Sequence, residues 1–152
     1  METLVDFALI NSISIWFHEV NNNDWTINGY IKVVKLRRYK ELLELFNRID
    51  NFTAGMFFMM KNDILPLYED KNNINGGFWS IKVSKRDATE LIKKICYYIF
   101  IHGITINKAN ENNINGFSIS PKINNCIIKI WTSNYNAMNS LLLINIPGVN
   151  WN

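Results

Sequence analysis

The stretch Ile64-Leu-Pro-Leu-Tyr-Glu-Asp-Lys-Asn-Asn-Ile-Asn-Gly-Gly-Phe-Trp79 connects two strand-like runs near the middle of the chain. It places an aromatic ring beside two carboxylates in Tyr68-Glu69-Asp70 and closes on the pair Gly76-Gly77. Because proline cannot donate a hydrogen bond to a central sheet ladder, Pro66 favours a loop or a sheet edge for this aromatic–acid pair. An aromatic face next to a carboxylate can stack on a base and accept its N–H groups. The stretch therefore predicts a recognition element.

The residues before this stretch alternate between strand and helix patterns. Ile13–Phe17 and Tyr30–Leu36 are rich in β-branched and aromatic residues, and Met56–Met60 is a short apolar run typical of a buried strand. Apolar residues recur every three or four positions from Tyr39 to Ile49, which predicts an amphipathic helix. Trp25 directly follows a polar turn, so we expect it to be more exposed than a core tryptophan, with half-buried packing as the alternative.

The residues after this stretch continue the mixture of strands and helices. Trp79–Val83 has strand character, and Ser84 with Asp87 three residues later predicts a capped helix start. Strands at 116–120 and 126–131 and a third helix at 134–144 follow. The sequence therefore predicts an α+β fold, with an antiparallel sheet and helices on one side of it.

Composition limits the class of protein and its surroundings. A chain of 152 residues is expected to form one domain, residues 1–152. Its net charge of +3 is compatible with a phosphate-bearing ligand but too small to indicate duplex binding. Cys96 and Cys126 lie in apolar runs, which predicts free thiols in a reducing, cytoplasmic compartment. No leader segment is expected at the start, and the apolar run Ile95–Ile106 is too short to cross a bilayer.

Catalytic and metal sites find little support in the sequence. His18 and His102 have no adjacent nucleophile, and no histidine and cysteine spacing matches a metal site. The neighbouring carboxylates Glu69 and Asp70 are the one candidate for acid–base chemistry, acting on nucleotides, and no nucleophile accompanies them. We expect a binding protein without cofactor or metal.

Several motifs in a shared order resemble the family of cap-binding translation initiation factor 4E. The resemblance extends from about residue 13 to residue 138. It rests on Trp16-Phe17 followed by Trp25, Phe46-Asn-Arg-Ile49, Lys61-Asn-Asp-Ile-Leu-Pro-Leu-Tyr-Glu-Asp70 with Gly76-Gly-Phe-Trp79, and Lys129-Ile-Trp-Thr132.

This resemblance implies a curved antiparallel sheet backed by three helices on its convex side, with the 7-methylguanosine cap of mRNA bound on the concave side. Trp25 and Tyr68 would sandwich the methylated base. Glu69 would accept the guanine N1–H and N2–H groups, and Trp131 would contact the methyl group. Because methylation makes the ring cationic, each aromatic face would add a cation–π contribution to stacking.

The chain departs from the family pattern at the phosphate-binding and stacking positions. Tyr68 stands where the family has a second stacking tryptophan, and Phe78 stands where it has an arginine. Lys122 keeps the charge of a later family arginine, whereas Ile127 replaces a family lysine. Lys122 is therefore the main implied phosphate contact, and Lys129, on the face of Trp131, is a second.

The family also docks a helical motif of a scaffold initiation factor on its helix-bearing side. The matching positions here are Tyr39, Leu43, Leu91 and Ile95, although the same residues could simply be core faces of the two helices. Leu43 replaces a hallmark tryptophan of the family. The implied function is recruitment of capped mRNA for translation through the scaffold, by a protein that is monomeric when free. A cap-binding decoy or repressor without productive scaffold contact is the alternative. The short, biased sequence suggests a divergent member of the family, such as a viral one.

Overall fold

The computed structural model describes residues 6–49 and 51–137. That part of the chain contains six strands, which are β1 (Ala8–His18), β2 (Ile31–Arg38), β3 (Met56–Lys61), β4 (Gly77–Ser84), β5 (Ile114–Pro121) and β6 (Asn125–Thr132). They form one curved antiparallel sheet in the order β2-β1-β3-β5-β6-β4. The neighbouring pairs β1–β3, β4–β6 and β5–β6 are in continuous or nearly continuous register, so the alternation of side chains assigns each residue to one face.

Two α-helices, α1 (Tyr39–Arg48) and α2 (Lys85–Tyr97), cover one face of this sheet, and a single π turn extends α2 to His102. The start of α2 has the predicted cap, because the Ser84 hydroxyl oxygen accepts the backbone N–H of Asp87. Ile92, Ile95 and other apolar residues of these helices meet the sheet in a buried core.

The two faces of the sheet bury different side chains. In β6, Cys126, Ile128 and Ile130 belong to the helix-side core, whereas Trp131 belongs to a second cluster on the opposite face. This division follows from the alternation of side chains along a strand. The second cluster also contains Trp16, Phe58 and Met60, whose register partners bring them together across β1, β3 and β6.

Most elements agree with the sequence prediction, and the α+β class is confirmed. The strands extend beyond their predicted ends, because backbone pairing continues past the apolar residues that identified them; β1, for example, begins at Ala8 and ends at His18. The segment 107–115, predicted as a loop, contains a short 3₁₀ helix at Lys108–Asn113. The third predicted helix, 134–144, lies mainly outside the described residues, which include only a 3₁₀ turn at Tyr135–Ala137.

Candidate nucleic-acid interface

The sheet face opposite the helices carries a cluster of mainly aromatic side chains. We call it the aromatic face; it is formed by Trp16, Tyr30, Phe58, Met60 and Trp131. The Phe58 ring lies 5.3 Å from the Tyr30 ring and 6.1 Å from the Trp131 ring, each in an edge-to-face arrangement. Such contacts favour a rigid apolar floor, since edge-to-face pairs are attractive beyond their burial.

Trp25 lies at one end of this floor, in the loop between β1 and β2. Its indole stacks on the His18 ring with centroids 4.0 Å apart and planes 3° apart, yet the residue remains 50% exposed. His18 is completely buried, and its ring nitrogens lie 2.8 Å from the Glu19 carbonyl oxygen and 2.9 Å from that of Asp24. The histidine therefore holds one face of Trp25 in a set plane and leaves much of the indole accessible to a ligand. Trp25 is more exposed than a core tryptophan, as expected, and its stack on His18 also gives it the half-buried packing of the alternative.

The Trp25 loop has its own internal support. The Asp24 carboxylate accepts hydrogen bonds from the backbone N–H and the hydroxyl of Thr26, and the Asp24 N–H donates to the Asn22 side chain at 2.8 Å. The hydrogen bonds from Thr26, together with nearby His18, hold the pKa of Asp24 below its usual value. These contacts keep the loop ordered on both sides of Trp25.

The loop between β3 and β4, residues 62–76, carries Tyr68 and Glu69 as predicted. Asp70 organises its turn, because its carboxylate accepts the backbone N–H groups of Leu65 at 3.0 Å and Asn72 at 2.8 Å. Burial raises the pKa of Asp70, but these hydrogen bonds outweigh it and leave the pKa below its usual value. The Asp70 carboxylate therefore has a structural role within the loop, whereas the Glu69 carboxylate is exposed and forms no part of this hydrogen-bond network.

A buried amide pair pins the same loop to the sheet. The Asn73 side chain donates to the carbonyl oxygens of Leu65 and Leu67, at 3.0 and 2.8 Å. Asn115, at the start of β5, donates to the Asn73 side-chain oxygen at 2.8 Å. Gly76 completes the closure, since a Cβ there would lie 1.7 Å from the Thr132 carbonyl oxygen. These contacts fix the loop over the aromatic face.

Tyr68 lies on Trp131 in a parallel stack, with centroids 4.9 Å apart and planes 9° apart. Trp131 is buried, and its indole N–H donates to the Ser118 hydroxyl at 3.0 Å. In this arrangement Tyr68 covers the ring that the resemblance assigns to the methyl group, so a base can reach Trp131 only when Tyr68 turns aside. Glu69 is exposed and forms no ion pair or side-chain hydrogen bond with any described residue.

Tyr30 links the two predicted halves of the site, although sequence reasoning assigned it only to the start of a strand. Its ring lies 6.4 Å from that of Trp25, in an edge-to-face arrangement. Burial, and then the proximity of Tyr68 and Glu69, raises the pKa of Tyr30 to about 12. A continuous series of ring contacts therefore joins the two halves and runs through Trp25, Tyr30, Phe58, Trp131 and Tyr68. Like Trp25, Tyr30 is an aromatic residue that follows a polar loop, and this position could have identified it as a site residue from the sequence.

The two predicted phosphate contacts lie in different surroundings. The Lys129 ammonium lies 4.3 Å from the Phe78 ring centroid and 3.5 Å from the Tyr68 hydroxyl oxygen. Phe78 thus positions a cation of the neighbouring strand by a cation–π contact. Lys122 is exposed in the hairpin between β5 and β6. Its backbone N–H donates to the Asn125 carbonyl oxygen at 2.7 Å.

The four predicted scaffold-docking residues do not form one exposed set. Tyr39, Leu43 and Leu91 are partly exposed, whereas Ile95 is completely buried in the core. For Ile95 the structure supports the alternative that it is a core residue, because a side chain without exposed surface cannot contact a partner in this conformation. The Phe7 ring also stacks on Tyr39 at 4.7 Å and covers part of that ring.

Other chemistry has little support within residues 6–49 and 51–137. These residues contain no group of three His, Cys, Asp or Glu side chains that could hold a metal ion. Both cysteines are buried there as free thiols, and burial raises the pKa of each. In the same residues, no helix is long and apolar enough to cross a membrane.

The sheet has helices on one face, and on the other it has aromatic rings with an exposed carboxylate nearby. These features are typical of proteins that recognise flat aromatic ligands. The comparisons make the assignment specific. The family model for Eukaryotic initiation factor 4E matches residues 8–146, and the chain belongs to this family.

Similar curated proteins carry the same family name. The chain is 29% identical over 100 residues to the eukaryotic translation initiation factor 4E homolog of Acanthamoeba polyphaga mimivirus, a match covering 62% of this chain and 36% of the viral protein. It is 23% identical over 141 residues to eukaryotic translation initiation factor 4E of Dictyostelium discoideum, covering 86% and 54% of the two chains. The matched region is thus about half or less of the length of these relatives.

Solved structures share the fold. The complex of Caenorhabditis elegans eIF4E-3 with the 4E-binding protein Mextli and a cap analog superposes with a TM-score of 0.77 at 18% identity, covering 87% of this chain and 77% of the other. Schistosome eIF4E complexed with m7GpppA and 4E-BP superposes with a TM-score of 0.76 at 20% identity, covering 86% and 73%.

Proposed function

We propose that this protein binds the 7-methylguanosine cap of mRNA on its aromatic face, through a single cap-binding domain, and recruits the message for translation initiation through a scaffold partner. The observation that carries the proposal is the continuous series of ring contacts from Trp25 through Tyr30, Phe58 and Trp131 to Tyr68, with the exposed carboxylate of Glu69 next to Tyr68 in sequence. Family membership and the cap complexes of the structural neighbours support it.

In the proposed complex the methylated base lies between Trp25 and Tyr68. Tyr68 leaves its stack on Trp131 and exchanges one aromatic contact for another, which limits the cost of opening the site. Each base–aromatic stack contributes about 1–3 kcal/mol. The positive charge of the methylated ring adds about 0.5–2 kcal/mol per aromatic face.

Glu69 reads the base in this proposal. Its carboxylate has no partner among the described residues, so accepting the guanine N1–H and N2–H groups breaks no existing bond. Hydrogen bonds to a charged group contribute about 1.5–3 kcal/mol each. Lys129 and Lys122 neutralise the phosphates, and the small number of cations predicts a shallow dependence of affinity on salt.

Tryptophan fluorescence tests this function directly. We expect 7-methylguanosine triphosphate to quench the protein and to bind at least about tenfold more tightly than guanosine triphosphate, because only the methylated ring is cationic. Glu69→Gln should weaken binding of the methylated nucleotide about tenfold or more, with an unchanged unfolding transition as control. Equal affinity for the two nucleotides would overturn the proposal.

A cap-binding decoy or repressor is a second candidate, favoured by the state of the helix side. Ile95 is buried, Phe7 covers part of Tyr39, and Leu91 packs partly against the core, so the predicted docking set offers little exposed surface. Leu43 also stands where the family has a tryptophan, the residue type that most often dominates binding energy at an interface. Binding of caps without measurable binding of a scaffold peptide would identify this candidate as the function.

A further inference from the structure

A cleft of 720 Å³ opens at the edge of the sheet where β1, β4 and β5 end. Its walls come from four separate segments: the residues after β1, those before β3, the start of α2, and the hairpin between β5 and β6. The residues that matter for its chemistry are Val20, Ala54, Lys85, Lys122, Ile123 and Asn124.

The cleft combines two cations with apolar walls. Lys85 and Lys122 are both exposed, and neither forms an ion pair with a described residue. No acidic side chain from residues 6–49 or 51–137 is among its lining residues. Ile123 is 91% exposed and Val20 is 54% exposed, so apolar surface lies beside the two cations. This mixture suits a ligand with negatively charged phosphates and a flat base.

The cleft lies next to the Trp25 end of the proposed cap site. Val20 follows His18, on which Trp25 stacks, by two residues. Trp131 is six residues further along β6 than Asn125 of the cleft, which corresponds to roughly 20 Å of strand. An RNA chain that leaves a base held at Trp25 in the direction of this edge of the sheet reaches the cleft. Lys122, the main implied phosphate contact, lines the same cleft.

We propose that this cleft binds the first nucleotides of the RNA that follow the cap. Lys85 neutralises a phosphodiester of these nucleotides, beyond the cap phosphates that Lys122 contacts. Ile123 and Val20 support a base, and the Asn124 amide offers both a donor and an acceptor. The inference rests on the proposed cap binding and explains how a site with few phosphate-binding cations gains affinity from the RNA itself.

The test compares 7-methylguanosine triphosphate with a capped tetranucleotide, by fluorescence titration at several salt concentrations. We expect the capped tetranucleotide to bind about tenfold more tightly. Lys85→Gln should remove about three- to tenfold of that gain and leave binding of the triphosphate unchanged. It should also lower the slope of log affinity against log salt by about 0.7, the value for one phosphate contact with a single strand.

Matched controls separate this effect from general loss of charge. Lys94→Gln removes another exposed lysine, in the last turn of α2 and away from the cleft. It should leave the affinity for both ligands unchanged. Ile123→Ser should weaken only the tetranucleotide, and its exposure makes loss of folding no concern. An uncapped tetranucleotide should bind weakly.

Failure of this inference is distinct from failure of cap binding. If the triphosphate is selected over its unmethylated form but the tetranucleotide binds no more tightly, or Lys85→Gln has no effect on it, the cleft does not bind RNA. Uncapped RNA binding as tightly as capped RNA would equally overturn the link to the cap. Loss of selectivity for methylation would instead overturn the proposed function.

Discussion

At the scale of single residues, His18 shows how a buried side chain prepares a recognition surface. Both of its ring nitrogens lie within hydrogen-bonding distance of backbone carbonyl oxygens in the Trp25 loop. The same ring stacks on the Trp25 indole. The sequence shows no nucleophile adjacent to His18, and its burial and contacts with the loop backbone give it a structural role. Its contact with Trp25 was not foreseen, because the two residues are seven positions apart across a turn.

Removing the His18 ring should therefore loosen Trp25. We expect His18→Ala to weaken binding of 7-methylguanosine triphosphate by about two- to tenfold, since an aromatic pair contributes about 0.5–1.5 kcal/mol. Trp25 should also become more accessible to a collisional quencher. His18→Phe retains a flat ring and should restore most of the affinity. An affinity unchanged in His18→Ala would show that Trp25 needs no such support.

At the scale of an element, the loop 62–76 is the part of the site that depends most on polar contacts. Asp70 and the pair of Asn73 and Asn115 hold it without any helix or strand of its own. Proline, glycine and aspartate predicted a loop, and this is confirmed. The sequence did not reveal which polar residue orders the loop and which remains free, because Glu69 and Asp70 are chemically similar neighbours that point to different surroundings.

We expect Asp70→Ala to release the loop and to weaken cap binding severalfold, although Asp70 contacts no ligand in the proposal. Faster hydrogen exchange at the Leu65 and Asn72 amides would report the release. Because the folded pKa of Asp70 lies below its ordinary value, its stabilisation is present above about pH 3.8 and is lost as the pH falls through the folded value.

Glu69→Gln is the matched control for this prediction. It should weaken cap binding while leaving exchange at Leu65 and Asn72 unchanged. Asp70→Asn, which keeps one acceptor oxygen, should fall between the wild type and Asp70→Ala. Identical exchange in all of these proteins would contradict the role assigned to Asp70.

At the scale of the whole molecule, the sheet separates two surfaces. The helices and their core occupy one face and the aromatic side chains the other, so the proposed cap site and the proposed scaffold site lie on opposite sides of one layer. Substitutions on one side are then expected to act independently of those on the other, as for distant sites without shared contacts.

This separation predicts that substitutions on each side of the sheet affect the binding of only one of the two ligands. Leu43→Ala combined with Leu91→Ala should lower the affinity for a helical scaffold peptide, measured by calorimetry, and leave binding of 7-methylguanosine triphosphate unchanged. Glu69→Gln should do the reverse. Peptide binding that survives the double substitution would place the partner elsewhere, and the absence of any peptide binding by the wild type would favour the decoy.

The sequence by itself determined the α+β class, most of the elements and the family, because periodicity, capping residues and ordered motifs are local properties of the chain. It also identified Trp25, Tyr68, Glu69 and Trp131 as candidates. Only the tertiary structure decided that Tyr68 rests on Trp131, that Tyr30 joins the two halves, and that Ile95 belongs to the core. Those outcomes depend on which residues the strand register and loop closure bring within a few ångströms. No local pattern records such contacts between residues distant in the chain.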